Sequence, residues 1–185
     1  MVNRLKLLVE QLKRSGTINS KELENAINAQ VGAEFAASLQ YVSIAAYFDA
    51  EDLPLLAAFF FRQAEEEKMH ALKFAHFVVE AGGQVRIPAI AETFFDFSEP
   101  EQCAQLALDW ETDVTKMINN LMDIAIEDKD YISQEFLRWF VAEQLEEIST
   151  MGTLLKTIRR AGSNVLLVED FLARNPIVDE GHGAN

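Results

Sequence analysis

Hydrophobic residues recur along most of this chain at the three- and four-residue spacings of an amphipathic α-helix. Four long stretches with this pattern predict helices over residues 20–49, 54–81, 100–128 and 131–161, and a shorter stretch predicts a fifth helix over 165–174. Only four prolines and eight glycines occur among the 185 residues, which leaves room for helices of this length. The pattern therefore predicts an all-α fold.

Residues that begin and end helices stand at the edges of these stretches. Asn19 with Glu22, and Ser98 with Glu101, resemble capping boxes, and Asp130 can cap the fourth helix. Prolines stand in the first turns of the second and third helices, and glycines follow the second and fourth. The boundary residues and the hydrophobic period thus predict the same elements.

The segment over residues 82–98 lacks the helical pattern and contains two glycines, Pro88 and a Phe-Phe-Asp-Phe cluster. A connection of this length lets the third helix run parallel to the second. We therefore predict a four-helix bundle with a long crossover between its second and third helices, plus a short C-terminal fifth helix. The predicted organisation is a basic amphipathic extension (1–18), the bundle (19–162), the fifth helix (163–174) and a flexible tail (175–185).

One arrangement of polar residues occurs twice on the predicted inward faces. A lone Glu is followed 33 residues later by a pair of possible metal ligands spaced i, i+3. Two helical hairpins would bring both arrangements to one level of the bundle, where they could hold two metal ions. The residues are Glu34, Glu67 and His70 in the first half, and Glu111, Gln144 and Glu147 in the second.

Four carboxylates of this set fall among apolar residues. Burying one unpaired carboxylate costs several kcal/mol, so burying four close together requires compensating cations. The ligand set is rich in oxygen, contains one imidazole and lacks thiolate, which favours iron or manganese over structural zinc. In the third helix, the apolar stripe around the acid reads Ala104, Leu108, Glu111, Val114, Ile118 and either Leu121 or Met122.

Charge and apolar runs exclude several classes of partner. The net charge is −14, which repels nucleic-acid phosphates and attracts cations, so we expect no nucleic-acid partner. No apolar run approaches the roughly 20 residues of a membrane span, and residues 1–16 lack the apolar stretch of a signal peptide. The pattern of residues 1–16 predicts an amphipathic helix docked on the outside of the bundle, and binding to a membrane surface or a partner is the alternative. Together with the single Cys103, these features favour a cytoplasmic protein without a membrane role.

Four segments resemble the bacterial non-haem ferritins in order, spacing and helical context. The resemblance covers roughly residues 23–174 and implies a ferritin-like fold with a ferroxidase centre. It implies that Glu34, Glu67 and His70 hold one iron, and that Glu67 bridges to a second iron held by Glu111 and Glu147. The segments that carry it are 34–41, 63–70, 110–111 and 139–147.

The resemblance also suggests roles for further residues around the centre. Gln144 would lie beside the second iron, and Tyr41 and Trp139 match aromatic residues that could donate electrons. As plain core aromatics, Tyr41 and Trp139 would need no such role. Three acids match a third, weaker iron site, and an ordinary exposed helix face explains them nearly as well: Glu66, Glu143 and Glu146.

Two departures separate the chain from the haem-binding bacterioferritins. Those proteins carry a second Glu-x-x-His motif where this chain has Gln144 and Glu147. Their haem-ligating Met directly follows the bridging Glu, and that position is Lys68 here. Met69 points about 100° further around the helix. We therefore predict no haem.

The implied function is iron storage: Fe²⁺ is oxidised by O₂ or peroxide at a di-iron centre, and ferric mineral is kept in a shell of about 24 subunits. One alternative is a di-iron peroxidase or oxygenase without storage, although one cysteine excludes the four-Cys module that rubrerythrin-type peroxidases usually append. Another is a non-enzymatic acidic scaffold or a DNA-protecting mini-ferritin. Mini-ferritins place their metal site between subunits, whereas this chain carries both halves of its own.

Overall fold

The computed structural model describes residue 18 and residues 20–175. This part of the chain forms five helices: α1 (Lys21–Ala50), α2 (Pro54–Glu80), α3 (Pro100–Glu127), α4 (Tyr131–Ala161) and α5 (Leu166–Arg174). This confirms the predicted all-α bundle with a long crossover between its second and third helices and a short fifth helix. The predicted extension and tail lie, apart from residues 18 and 175, outside the described residues.

The long helices pair as two hairpins. α1 packs along α2, α3 packs along α4, and the hairpins meet where α1 contacts α3. The Ser20 hydroxyl, at the start of α1, donates a hydrogen bond to the carboxylate of Asp128, at the end of α3. α1 and α3 are therefore antiparallel, so α2 and α3 run parallel and the crossover traverses the length of the bundle.

The helix starts differ from the prediction at two places. Ser20 caps α1, since its side chain accepts a hydrogen bond from the Leu23 amide, one residue after the Asn19 that the sequence suggested. Asn19 itself is outside the described residues. The capping box at Ser98 is wrong: α3 begins after Glu99, which makes no side-chain cap bond. The predicted cap at Asp130 is confirmed by its bond from the Ser133 amide at 3.0 Å.

Ser98 has a different partner from the one that the capping box requires. Its amide donates to the Gln102 side chain at 2.9 Å. The sequence pattern therefore found the right turn but the wrong pair of residues, since Gln102 accepts from the Ser98 amide while Glu101 pairs with Arg159.

Two buried amide side chains of α1 fasten the crossover to the bundle. Asn28 donates to the carbonyl of Gln84 at 3.0 Å and accepts from the amide of Arg86 at 2.6 Å. Gln40 donates to the carbonyl of Phe94 and accepts from its amide, both at 2.8 Å. The crossover thus follows the outer side of α1 along a fixed path.

The core consists of two apolar clusters separated by polar side chains. One cluster includes Tyr41, Phe60, Ala107 and Met151, and the other includes Val31, Phe74, Val114 and Phe140. On every bundle helix, the acidic position falls between residues of the two clusters. Among the described residues, no helix is long and apolar enough to span a bilayer.

Candidate metal centre

Each bundle helix brings one carboxylate into the layer between the apolar clusters. Glu34 lies on α1, Glu67 on α2, Glu111 on α3 and Glu147 on α4. The first three are fully buried, and Glu147 is 4% exposed. Apolar residues at helical spacing on both sides of each acid turn its face inward, so the local sequence fixes the burial of these charged groups.

The ligand atoms of these residues form two groups that share Glu67. In the first group, atoms of Glu34, Glu67 and His70 lie within 4.8 Å of one another. In the second group, atoms of Glu67, Glu111 and Glu147 meet the same limit. Because a carboxylate has two oxygens, Glu67 can contact one cation in each group at once.

Each of the four carboxylates keeps one buried oxygen that accepts no hydrogen bond from the described residues. A buried acceptor without a donor costs about 1–3 kcal/mol, and more when it is charged. The donors that do reach the site bind other oxygens: Gln30 donates to Glu34 Oε1 at 2.8 Å, and Tyr41 donates to Glu111 Oε1. Oxygen atoms in this state are suitable ligands for hard or borderline cations. The unpartnered atoms are Glu34 Oε2, Glu67 Oε1, Glu111 Oε2 and Glu147 Oε2.

Burial changes the protonation of these acids. It raises the pKa of Glu34 and of Glu111 to about 7. For Glu67 and Glu147, burial and then the charge of nearby carboxylates raise the pKa well above its usual range. The metal-free site therefore holds protons near neutral pH, and a cation that binds there must displace them.

His70 is present in the form that binds metal. Burial, and then the charge of Lys73, lower the pKa of His70 to about 4, so its imidazole is neutral near pH 7. Its Nδ1 lies 3.3 Å from Glu67 Oε2. The imidazole lies edge-on to the rings of Trp139 and Phe140, at centroid distances of 5.4 and 5.7 Å. These rings restrict the orientation of His70.

Gln144 lies beside the second group, and two residues that the sequence analysis did not single out support the site. The Thr115 hydroxyl donates to Gln144 Oε1 at 2.8 Å. Gln30 is buried and donates to Glu34. Thr115 follows Glu111 by four residues and Gln30 precedes Glu34 by four, so helical spacing from the acids was the available signal.

The structure brings together two of the three acids suggested for a third iron site. Atoms of Glu66, His70 and Glu143 lie within 4.8 Å of one another. Gln63 donates to Glu66 at 2.6 Å, which restrains that carboxylate. Glu146 is exposed and belongs to none of the three groups.

The aromatic residues Tyr41 and Trp139 contact different ligand groups of the centre. Tyr41 is fully buried, and its hydroxyl donates to Glu111. Burial and then the negative charge of Glu111 raise the pKa of Tyr41 well above its usual value, so the phenol keeps its proton. Trp139 is half-buried and contacts the edge of His70. One aromatic ring therefore touches each of the two groups.

A bundle of two helical hairpins with a long crossover, whose four helices each place a carboxylate in one buried layer, defines the ferritin-like class. The comparisons with known proteins agree. The Ferritin-like domain family matches residues 24–161. "Ferritin BfrB" of Mycolicibacterium smegmatis is 39% identical over 163 residues, which cover 88% of this chain and 90% of that protein.

Two further proteins extend this similarity. The "Bacterial non-heme ferritin" of Staphylococcus aureus is 36% identical over 145 residues, covering 78% of this chain and 87% of that protein. An open pore ferritin from the archaeon Archaeoglobus fulgidus has a TM-score of 0.81 and 32% identity, covering 85% of this chain and 98% of that one. The chain belongs to the ferritin family, as the resemblance of its four segments indicated.

Proposed function

We propose that this chain stores iron by oxidising Fe²⁺ at the buried carboxylate layer and keeping the ferric product inside an oligomeric shell. The observation that carries the proposal is the set of four buried carboxylate oxygens without hydrogen-bond donors, one on each helix. Membership of the ferritin family and the ferritin names of the relatives support the same assignment.

In this proposal, Fe²⁺ is the substrate and two ions bind side by side. Glu34, Glu67 and His70 hold the first ion, and Glu67, Glu111 and Glu147 hold the second. The two groups share one carboxylate, which favours a separation of a few ångströms, typical of two-metal sites. The protons that the acids hold in the metal-free state leave as the ions bind.

Either O₂ or H₂O₂ can accept the two electrons that a pair of Fe²⁺ ions releases. Each Fe²⁺ loses one electron; O₂ takes two electrons and two protons to give H₂O₂, or H₂O₂ takes two electrons and two protons to give two water molecules. The Fe³⁺ ions then hydrolyse, which weakens their bonds to the carboxylates. His70 belongs to one group only, so the two ions are released from unequal ligand sets.

Storage requires self-assembly, and we propose a shell of about 24 copies with closed symmetry. The net charge of −14 provides acidic surface for attracting Fe²⁺ and nucleating mineral. Large apolar side chains exposed on the single chain, including Phe61, Leu72 and Phe95, are suited to contacts between copies. A cytoplasmic location suits the free, buried Cys103.

The test is Glu67→Ala with Glu65→Ala as its matched control. Both residues lie on α2, but Glu65 is exposed and pairs with Lys68 at 2.8 Å. In stopped-flow measurements, Glu67→Ala should slow the first phase of Fe²⁺ oxidation by more than the roughly 10–100-fold that loss of an outer partner costs a metal site. Glu65→Ala should match the unmodified protein.

Size-exclusion chromatography of both variants separates chemistry from assembly. We expect shell-sized particles in each case, because Glu67 lies inside one bundle. Native oxidation rates in Glu67→Ala contradict the site assignment. Rapid oxidation by a monomer or dimer that retains no ferric mineral contradicts storage and supports a di-iron peroxidase or oxygenase instead.

A further inference from the structure

Lys73 places its ammonium group directly over an aromatic ring beside the candidate metal centre. Its Nζ lies 3.3 Å from the centroid of the Trp139 ring and 6.0 Å from that of Phe140. Lys73 lies one helical turn after His70 on α2, whereas Trp139 lies on α4. The contact therefore joins two helices that both contribute to the centre.

Trp139 contacts both this cation and the candidate ligand His70. The indole and imidazole rings meet edge-on with centroids 5.4 Å apart. An electron can pass readily between groups this close. Complete reduction of O₂ to water takes four electrons, and two Fe²⁺ ions supply two. A strong oxidant at the centre can therefore draw further electrons from a neighbouring aromatic side chain.

The two neighbouring aromatics differ in how easily they can lose an electron. Tyr41 donates its hydroxyl proton to a hydrogen bond with Glu111, so its electron and its proton can leave together. Loss of an electron from Trp139 leaves a positively charged indole radical directly beneath an ammonium group. A cation over the ring face stabilises the neutral ring and repels the radical cation.

We propose that Lys73 protects Trp139 against one-electron oxidation by placing its ammonium group over the indole face. In the unprotected reaction, H₂O₂ formed at the centre accepts two electrons, one after the other, from Trp139 and two protons, and becomes two water molecules. One water molecule adds to the oxidised indole and releases those two protons, so Trp139 gains one oxygen atom. Lys73 itself gains and loses no bond. The role of O₂ or H₂O₂ at the centre rests on the proposed function, whereas the effect of the ammonium on the indole does not.

The first test uses metal-free protein and is independent of iron chemistry. In a Trp110→Phe background, Trp139 is the single remaining tryptophan of the two in the chain. Photochemically generated one-electron oxidants then report how readily Trp139 is oxidised. Lys73→Met should favour the oxidised ring by about two- to fivefold, the equivalent of a cation–π contact of about 0.5–1 kcal/mol.

Two control variants separate this effect from a general change of charge. Lys73→Arg keeps a cation that can lie over the ring, so it should restore the unmodified behaviour. Lys68→Met removes one positive charge from the same helix, but Lys68 pairs with the exposed Glu65. It should leave Trp139 unchanged. Equal oxidation in Lys73→Met and the unmodified protein, or an equal rise in Lys68→Met, overturns the proposal. Lys73→Gln provides a second neutral variant if Lys73→Met folds poorly.

The second test measures oxygen addition to Trp139 during Fe²⁺ oxidation in air, using peptide mass spectrometry. Lys73→Met should accumulate more modified Trp139 for each iron oxidised than the unmodified protein. If the unmodified protein oxidises no Fe²⁺, the proposed function fails while the metal-free measurement still decides the role of Lys73. Unchanged Trp139 modification in a Lys73→Met protein that oxidises Fe²⁺ contradicts the protective role during turnover.

Discussion

Replacing Glu34 by Gln should stabilise the metal-free protein while weakening its binding of cations. Burial raises the pKa of the Glu34 carboxyl from 4.5 to about 7. Since the folded state then binds more protons than the unfolded chain, stability falls as pH rises between these two values. Above the folded-state pKa, the ionised carboxylate reduces stability by up to about 3 kcal/mol, at about 1.4 kcal/mol for each pKa unit.

Glutamine keeps the size of the side chain and can still accept the hydrogen bond from Gln30, but it has no charge to bury. We expect Glu34→Gln and the unmodified protein to have similar stability near pH 4.5. Above about pH 7, the variant should be more stable by up to about 3 kcal/mol. His70 contributes a slope of the opposite sign, since burial lowers its pKa to about 4. That contribution cancels in the difference, because both proteins contain His70.

The assay is guanidinium denaturation of chelator-treated protein at several pH values, repeated with Zn²⁺ as a redox-inert cation. Zn²⁺ should stabilise the unmodified protein more than Glu34→Gln, so that the order of stability reverses. Glu22→Gln is the control, because Glu22 is exposed on the same helix. A constant difference between Glu34→Gln and the unmodified protein across this pH range refutes the account of a buried, ionisable acid.

Four further substitutions test the packing of the bundle and the hydrogen bonds that hold its helices and its candidate metal centre. Gly32→Ala should destabilise the fold by about 1–3 kcal/mol, because a Cβ at this position would lie 2.3 Å from the ring of Pro88. Gly152→Ala places its Cβ in open space and should stabilise α4 by about 1 kcal/mol. Thermal denaturation compares the two variants. Glu169→Ala removes the acceptor of the first two free amides of α2, at 2.9 and 2.8 Å, and should cost about 1 kcal/mol in the same assay. Tyr41→Phe removes the donor to Glu111 and should weaken Zn²⁺ binding about 10–100-fold by calorimetry, with unchanged affinity refuting that role.

The hydrophobic period predicted the helices well, because long amphipathic stripes leave few other ways to bury their apolar faces. On α3 it misplaced one position, Leu108, and left Leu121 and Met122 as alternatives. The structure buries Ala107 and Leu121, while Leu108 and Met122 are half-buried. A helix face is about 100° wide, so neighbouring positions at its edge compete, and the contact with α1 decides between them.

The site was more predictable than its surroundings. Ligands spaced by 33 residues had to meet, since each pair of helices forms a hairpin of fixed register. The role of Gln30 depends on a contact within one helix, whereas that of Lys73 depends on which side chains meet across the folded bundle. Gln30 had a local signal, four residues before Glu34. No local sequence signal pointed to Lys73, because its partner Trp139 lies on another helix. Its position three residues after His70 also suits an ordinary exposed lysine.

The layered core explains how the bundle tolerates the unfavourable free energy of burying four carboxylates. Every long helix contributes apolar residues on both sides of its acid, so the two clusters hold all four helices together above and below the carboxylate layer. Repulsion within that layer cannot separate one helix without disrupting both clusters. The clusters therefore hold the four acids close together, and each acid keeps one buried oxygen that accepts no hydrogen bond from the described residues. A preformed site of this kind spends little binding energy on reorganisation, so the affinity for cations is limited mainly by the protons that they must displace.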